Sequence, residues 1–148
     1  MPRLYQRIYS SVKGKIDALT GCKKWLADKA MAAKTAALNA DATYTHACYD
    51  MLIFNKMKAA FGGELTGMVT GSAPIDLEIL CFLKVCFSCP LMEGYGLTES
   101  AGASTITRPE DPVPGHVGGP LECCKFRLKD VPAMNYLSTD KPHPRGEI

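Results

Sequence analysis

The sequence predicts an α/β fold in which several helices precede a parallel βαβ unit. Residues 1–60 carry apolar side chains at the spacings of amphipathic helices. The pattern changes over residues 61–106, which read as strand, loop, helix, strand and loop. Residues 107–148 are irregular, with some β character. The chain has 148 residues, 47% of them hydrophobic, which is enough for a single domain with its own core.

Three helices are expected in the first sixty residues. The first is indicated by apolar residues that recur every three or four positions, and it ends near Thr20–Gly21. These residues are Leu4, Tyr5, Ile8, Tyr9, Val12, Ile16 and Leu19. The second helix, over 23–39, is rich in alanine and lysine, and its thin apolar stripe predicts a surface position. The third covers 46–60 and stops at the glycine pair that follows.

The βαβ unit comes next. We expect a strand at 65–70, the loop "GSAP", a helix over 77–87 with Asp76 as its N-cap, and a strand at 89–93. A crossover through one helix makes the two strands parallel. The stretch "EGYGLTES" (93–100) is expected to form the loop after the second strand.

The final third contains many prolines and glycines, which interrupt regular structure. Within it, residues 124–131 ("CKFRLKDV") alternate between polar and apolar and predict a strand. The terminal "TDKPHPRGEI" reads as a proline-rich turn that leads into a further strand.

Charge excludes one class of partner and leaves another open. The net charge of +2 is too small to indicate nucleic-acid binding. Residues 1–60 carry ten Lys/Arg and four Asp/Glu, a balance of +6, and residues 61–148 carry seven and eleven, a balance of −4. A basic helical face suits an anionic membrane, but a solvated helix surface is the simpler explanation and the interpretation we favour. Since neither a signal peptide nor an apolar run of ~18 residues is evident, we expect an intracellular protein.

The seven cysteines are most simply read as free thiols in a reducing compartment. Cys86 and Cys89 have the C-x-x-C spacing, and Cys123 and Cys124 are adjacent. A zinc site would need a second pair of ligands at suitable spacing, which the sequence does not offer. A thioredoxin-like site would place C-x-x-C at a helix N-terminus, whereas here it follows a helical pattern. We therefore expect Cys86 and Cys89 to be buried, inert thiols.

Two loops are candidates for a binding site. Ligands of parallel sheets bind outside the carboxyl ends of the strands, where "TGSAP" and "EGYGLTES" both fall. Glycines let the backbone approach a flat ligand, and Tyr95 offers a face on which a base can stack. Thr98 supplies a hydroxyl for a phosphate, and Glu99 a carboxylate suited to Mg²⁺ beside phosphates. Each loop alone also reads as an ordinary turn, so it is their occurrence one helix apart that indicates a nucleotide site.

The motifs resemble those of the adenylate-forming (AMP-binding) enzyme superfamily. "TGSAPI", "EGYGLTES", "GHVGGPL" and "PRGEI" stand in that family's order and spacing. Within it, "PRLYQRIY", "FNKMKAAFGG", "CPLMEGYGLTES" and "LKDVPAMNY" look most like eukaryotic long-chain fatty acyl-CoA synthetases. The resemblance covers nearly the whole chain, and residues 22–44 are its least distinctive part.

The resemblance implies a long-chain-fatty-acid–CoA ligase that uses ATP, Mg²⁺ and CoA. Such enzymes convert a fatty acid and ATP into an acyl-adenylate and pyrophosphate, and CoA then displaces AMP. By matching motifs, Gly71, Ser72, Ala73 and Pro74 line the adenine. Glu93, Gly94 and Tyr95 lie against its other side, and Gly96 permits the tight backbone there.

The catalytic roles follow from the same resemblance. Thr98 corresponds to the residue that contacts the α-phosphate, and Glu99 to the Mg²⁺ ligand. Val117 to Pro120 match a structural turn near the acyl pocket.

The match is to a central segment of that family's large N-terminal domain. The family's Pro-Lys-Gly phosphate loop would precede residue 1, its Thr-Gly-Asp motif would follow residue 148, and its C-terminal domain with the catalytic lysine lies further on. We therefore expect a partial AMP-binding domain that is inactive alone. A non-catalytic remnant or interaction module of the same family is the main alternative, and a nucleotide-binding regulator a further one. Family members associate with endoplasmic reticulum, mitochondrial or peroxisomal membranes, which here would involve parts outside this chain.

Overall fold

The computed structural model describes residues 2–111 and 113–148. Helix α1 spans Pro2–Asp17 and α2 spans Gly21–Asp41. A third helical segment consists of α3 (Ala47–Tyr49), a π-helical turn (Asp50–Phe54) and α4 (Asn55–Ala59). The three predicted helices are thus confirmed, and the π-helical turn inside the third is a feature that the apolar spacing did not indicate.

The expectation that α2 lies on the surface is wrong for one of its faces. Ala27, Ala30, Lys34 and Leu38 are buried at successive helical turns, and α2 packs against the later helix α5 (Leu77–Phe87). Small alanines make this stripe look thin in the sequence, yet they allow the two helices to approach closely.

Lys34 fixes this packing. Its ammonium group is fully buried and donates to Asp50 Oδ1 at 2.5 Å, Val85 O at 2.7 Å and Ser88 Oγ at 2.7 Å. It also lies 4.0 Å from the centroid of the Phe54 ring, a cation–π contact. One side chain therefore ties α2 to the π-helical turn and to the C-terminal end of α5.

The predicted βαβ unit is confirmed. Strand β1 (Met68–Thr70) leads through α5 to β2 (Leu91–Leu97), and the two strands are parallel, with Thr70 opposite Glu93. Asp76 caps α5 by accepting from the backbone N–H groups of Glu78 (2.8 Å) and Ile79 (3.4 Å). Both strands begin later than expected, since residues 65–67 and 89–90 lie outside them.

The expected loop at 93–100 is instead mostly strand. β2 continues to Leu97 because it pairs antiparallel with β3 (Gly102–Ile106), and the chain reverses through a 3₁₀ turn at Thr98–Ser100. A short β4 (Gly119–Pro120) completes the sheet in the order β1-β2-β3-β4. Strand β3 was not predicted because its residues, "GASTI", are small and show no clear alternation.

The strand expected at 124–131 is not formed. Its alternating side chains satisfy the strand pattern, but Lys129 and Val131 make only isolated bridges, to Glu147 and Tyr136. The bridge to Glu147 gives the expected terminal strand a single pairing. Alternation predicts a strand only where a neighbouring strand is available, and residues 124–128 have none in the part of the chain described here.

The core lies between α5, β1, β2 and the N-terminal helices. Cys86 and Cys89 are buried in it, and burial raises the pKa of the Cys86 thiol to about 12, as expected for inert thiols. Among the described helices, none combines the length and the apolar character that crossing a bilayer requires.

Candidate functional site

The two predicted loops line one cavity. Residues 70–75, from the last residue of β1 onward, and residues 93–97 of β2 enclose a space of about 350 Å³, and residues 115–117 form its third wall. The parallel pairing of β1 with β2 explains the arrangement, because it brings the carboxyl ends of both strands to the same edge of the sheet. The predicted residues Gly71, Ser72, Ala73, Pro74, Glu93, Gly94, Tyr95 and Gly96 all line this cavity.

Glu93 holds the third wall in place. Its side chain is buried, and Oε1 accepts a hydrogen bond from the Gly115 backbone N–H at 3.3 Å. Thr107 fixes the backbone of Glu93, because its Oγ1 accepts from the Glu93 N–H at 2.9 Å and its own N–H donates to the Glu93 carbonyl at 2.8 Å. The Glu93 carboxylate therefore has a structural partner as well as a position in the cavity wall.

Three glycines keep the backbone close-packed around the site. A Cβ atom on Gly96 would lie 1.8 Å from the Gly102 carbonyl oxygen, so that no side chain fits there. Gly71 and Gly94 are tighter than usual as well, each with a carbonyl oxygen 3.0 Å from the Cβ position. The Gly96 contact follows a register shift between Tyr95 and Gly96 in the pairing of β2 with β3.

Tyr95 is half-buried and lines two spaces. One is the cavity, and the other is a more open hollow of about 370 Å³ that also reaches Gly71, Ser72 and Gly94. A planar ligand that entered at this point would meet an aromatic ring and bare glycine backbone together, the arrangement expected for a base.

The two predicted catalytic residues lie outside the cavity. Thr98 is exposed and lines only the adjacent hollow, whereas Glu99 is exposed and lines neither space. Both belong to the 3₁₀ turn, which Ser100 closes by accepting from the Leu97 backbone N–H at 3.0 Å. The structure thus brings the eight residues predicted to contact adenine together in one cavity and leaves Thr98 and Glu99 outside it.

A single carboxylate stands at the predicted metal position. No group of three His, Cys, Asp or Glu side chains suited to a metal ion occurs within residues 2–111 and 113–148. Mg²⁺ commonly binds through one or two carboxylates together with substrate phosphates, so Glu99 fits such an ion only when a nucleotide supplies the other ligands.

Thr70 and His116 are cavity residues that were not predicted from the sequence. Thr70 is buried, and its hydroxyl makes no hydrogen bond within the described residues although it lines the cavity. His116 Nε2 lies 3.2 Å from Asp111 Oδ2, and its Nδ1 accepts from the Gly118 N–H at 3.0 Å. The stretch "GHVGG" indicates only a turn, and the position of Thr70 directly before "GSAP" was the available signal.

Comparison with known proteins relates this geometry to one family. The model of the AMP-binding enzymes matches residues 2–148. Fatty acyl-CoA synthetase A of Dictyostelium discoideum is 42% identical over 147 residues, which is 99% of this chain and 22% of that protein. The peroxisomal long chain acyl-CoA synthetase 6 of Arabidopsis thaliana is 42% identical over 100% of the chain and 21% of its own length. Long-chain-fatty-acid–CoA ligase 1 of Homo sapiens is 38% identical over 95% and 20%.

Solved structures give the same picture for the fold. The adenylation domain of a carboxylate reductase from Mycobacterium chelonae matches 99% of this chain and 18% of its own, with a TM-score of 0.58 and 25% identity. That of Segniliparus rugosus, solved with AMP and a co-purified carboxylic acid, matches the same shares with a TM-score of 0.53 and 27% identity. The chain spans about a fifth of the length of the curated relatives that it matches.

Proposed function

The chain belongs to the family of AMP-binding enzymes, and we propose that it carries the adenine side of the active site of a long-chain-fatty-acid–CoA ligase. The observation that supports this most directly is that both nucleotide loops line one cavity of about 350 Å³. The proposed reaction joins a long-chain fatty acid to CoA, with ATP converted to AMP and pyrophosphate through an acyl-adenylate.

The proposed adenine site uses the residues that enclose the cavity. Gly71 to Pro74 lie on one side of the base, and Glu93, Gly94 and Tyr95 on the other, with the Tyr95 ring available for stacking. Gly96 lets β2 pass close to the backbone of β3 at this point, since its Cβ position is occupied by the neighbouring strand. The similar adenylation domain of Segniliparus rugosus is in complex with AMP, which supports a nucleotide as the ligand.

The proposed chemistry takes place at the rim. Attack of a carboxylate on the α-phosphorus of ATP brings negative charges together, so positioning and charge neutralisation carry most of the catalysis. In this proposal the Thr98 hydroxyl donates to the α-phosphate, which is supported by its position in the lining of the hollow. Glu99 would hold Mg²⁺, which neutralises phosphate charge when bound.

Nucleotide binding by the chain itself tests the proposed adenine site. We expect AMP to bind, and Tyr95→Ala to weaken binding by roughly five- to a hundredfold, the range for loss of a stacked aromatic ring. Tyr136→Ala, which removes an exposed tyrosine that does not line the cavity, is the matched control and should leave affinity unchanged. Equal affinity in the Tyr95→Ala variant and its control would refute the stacking role.

Glu99→Ala tests the metal role separately. Binding of MgATP should weaken in this variant, whereas binding of AMP without Mg²⁺ should not, because only the former needs the carboxylate. In a ligase of full length that contains this segment, the same change should abolish fatty-acid-dependent pyrophosphate exchange. Normal exchange there would reject the assignment.

Acyl-CoA formation is not expected from the 148-residue chain alone, since the relatives it matches are about five times as long. Detectable turnover from ATP, fatty acid and CoA would contradict this. The fragmentary coverage also favours a second candidate function, a non-catalytic module of the same family.

An immunoblot with an antibody to residues 76–100 distinguishes the two candidates. A band far heavier than 16.0 kDa indicates a segment of a ligase, and a band only at 16.0 kDa indicates the non-catalytic product. We further propose an intracellular protein whose membrane association involves parts outside this chain; the Arabidopsis relative is named as a peroxisomal enzyme.

A further inference from the structure

Two thiols that the proposed function does not use lie side by side just after β4. The sulfur atoms of Cys123 and Cys124 are 3.7 Å apart. Cys123 is exposed and Cys124 is half-buried. Neither residue lines the nucleotide cavity or the adjacent hollow, so the pair is separate from the proposed adenine site.

A hydrogen-bonded turn presents this pair at the surface. The Cys124 N–H donates to the Leu121 carbonyl at 2.8 Å, and the Leu121 N–H donates to the Ser104 carbonyl in β3 at 2.9 Å. The Ser104 side chain also forms a hydrogen bond with the Cys124 sulfur. Cys124 is thus held against the sheet while Cys123 is open to solvent, so a reagent can reach the pair without opening the core.

The five other cysteines offer no comparable pair. Cys81, Cys86 and Cys89 are half-buried or buried in and beside α5. Cys22 on α2 and Cys48 on α3 are exposed, but no sulfur–sulfur contact joins either of them to another described residue. The chain therefore carries two exposed single thiols that serve as internal controls for the adjacent pair.

Backbone geometry disfavours a disulfide between Cys123 and Cys124. The two residues are joined by a trans peptide, which fixes their Cα atoms ~3.8 Å apart. Disulfides span Cα separations of about 4.4–6.8 Å, and a strained disulfide is more easily reduced. We therefore expect the pair to remain a dithiol that is available to a ligand.

The separation of the two sulfurs selects the kind of atom that can bridge them. With bonds of ~2.3 Å, as in zinc thiolates, an atom shared by both sulfurs would have an S–X–S angle of about 107°. A linear two-coordinate metal would need the sulfurs ~4.6 Å apart. Structural zinc takes four ligands, and no group of three His, Cys, Asp or Glu suited to a metal occurs in the described part of the chain. The geometry instead suits a pyramidal centre that takes two thiols and carries its own third substituent.

We propose that Cys123 and Cys124 together bind a monosubstituted trivalent arsenic compound, whose arsenic atom bridges the two sulfurs. Thiols are soft ligands and prefer soft centres, of which trivalent arsenic is one. The site goes beyond the proposed function, whose substrates are a nucleotide, an acid and a thiol.

The reaction with an arylarsine oxide is a ligand exchange without oxidation or reduction. Two As–S bonds form, the bonds from arsenic to oxygen break, and the oxygen leaves as water with the two thiol protons. Cys123, the exposed thiol, attacks first, and Cys124 then closes the ring. A hydrogen bond with Cys123 raises the pKa of the Cys124 thiol, so that Cys124 retains the proton that the leaving oxygen needs.

Titration of the full chain with phenylarsine oxide, followed by intact-protein mass spectrometry, tests the proposal. One equivalent should bind with loss of one water, and the number of thiols that react with a disulfide reagent should fall by two. Dimercaptopropanol should release the arsenical, whereas the same concentration of glutathione should not, because the second As–S bond to the protein forms intramolecularly.

Substitution of single cysteines locates the site. Cys123→Ser and Cys124→Ser should each weaken binding roughly 10²- to 10⁴-fold, the gain that a second linked contact supplies. Cys22→Ser and Cys48→Ser, which each remove one exposed single thiol, are the matched controls and should leave affinity unchanged.

Several results would overturn the proposal. These are binding that survives substitution of either paired cysteine, release by glutathione as readily as by the dithiol, and an equal loss of affinity in a control variant. Oxidised glutathione gives an independent check, since it should form a mixed disulfide with an exposed thiol. Loss of two hydrogens, mapped to Cys123 and Cys124, would show that the pair closes to a disulfide and would contradict the argument from backbone geometry.

Discussion

Replacing Lys34 by Met should destabilise the protein substantially, because this lysine is the buried link between α2, the π-helical turn and α5. The substitution keeps the length and apolar stem of the side chain but removes the ammonium group and its three hydrogen bonds. It leaves the Asp50 carboxylate, only 15% exposed, without its cation, and leaves the Val85 carbonyl without this donor.

The magnitude follows from the burial of the pair. Removing one partner of a buried ion pair costs about 3–5 kcal/mol, since the remaining charge is left uncompensated. Asp50 retains hydrogen bonds from Ser88 Oγ at 2.9 Å and from the His46 N–H at 2.8 Å, so we expect the lower end of this range, about 3 kcal/mol. For a chain of this length that corresponds to a fall in Tm of roughly 6–12 °C.

The pH dependence provides a second test with a definite sign. Burial alone would raise the pKa of Asp50, but hydrogen bonds from Lys34, His46 and Ser88 together hold it below its ordinary value of 3.8. A carboxylate whose pKa is lowered on folding contributes stability above its unfolded pKa and loses it as the pH falls through the folded value. The difference in stability between wild type and Lys34→Met should therefore be constant near neutral pH and shrink below about pH 4.

Urea denaturation followed by circular dichroism measures these quantities. The matched control is the double variant Lys34→Met/Asp50→Leu, which replaces the pair by apolar side chains and should recover much of the loss. A loss of less than about 1 kcal/mol in Lys34→Met, or a double variant no better than the single one, would refute the view that an uncompensated charge is the cause.

Three further predictions concern the site and its supports. Gly96→Ala should lower the free energy of unfolding by at least about 2 kcal/mol in urea denaturation and abolish AMP binding, because its Cβ would meet the β3 backbone. Its control, Gly14→Ala in the open interior of α1, should raise the free energy of unfolding by about 0.5–1 kcal/mol. Asp76→Ala should cost about 1 kcal/mol through loss of the α5 cap, and Asp76→Asn almost nothing; equal losses would exclude capping as the cause. Cys86 should react with a disulfide reagent only as fast as the protein unfolds, whereas the exposed Cys22 should react within seconds to minutes. Rapid modification of Cys86 in the native state would contradict its burial and its raised pKa.

The helices and the βαβ unit could be predicted from the sequence because each depends on local signals. The cap at Asp76 and the apolar run over 77–87 define α5 without reference to the rest of the chain. The extent of β2 could not be predicted in this way, because residues 94–97 are strand only through their pairing with β3. The same dependence on a partner explains why residues 124–131 alternate like a strand and yet do not form one.

The same distinction between local signals and long-range contacts applies to the candidate site. The loop positions follow from motif order and parallel topology, so eight of the residues that line the cavity could be named from the sequence. The wall at residues 115–117 depends on one long-range hydrogen bond, from the Gly115 N–H to Glu93, which no local pattern indicates. Thr70 was missed for a different reason, since a buried threonine at a strand end is usually a structural residue.

The strand conformation of residues 93–97 changes how the motif "EGYGLTES" can work. The pairing of β2 with β3, with its register shift between Tyr95 and Gly96, holds Glu93 to Gly96 along the wall of the cavity. Gly94, Tyr95 and Gly96 also line the hollow that reaches Thr98, so the motif contributes to both spaces. Because β3 fixes this register, a variant such as Gly96→Ala that separates β2 from β3 should disturb both spaces together. Loss of the ring alone, in Tyr95→Ala, should weaken nucleotide binding while the sheet remains intact.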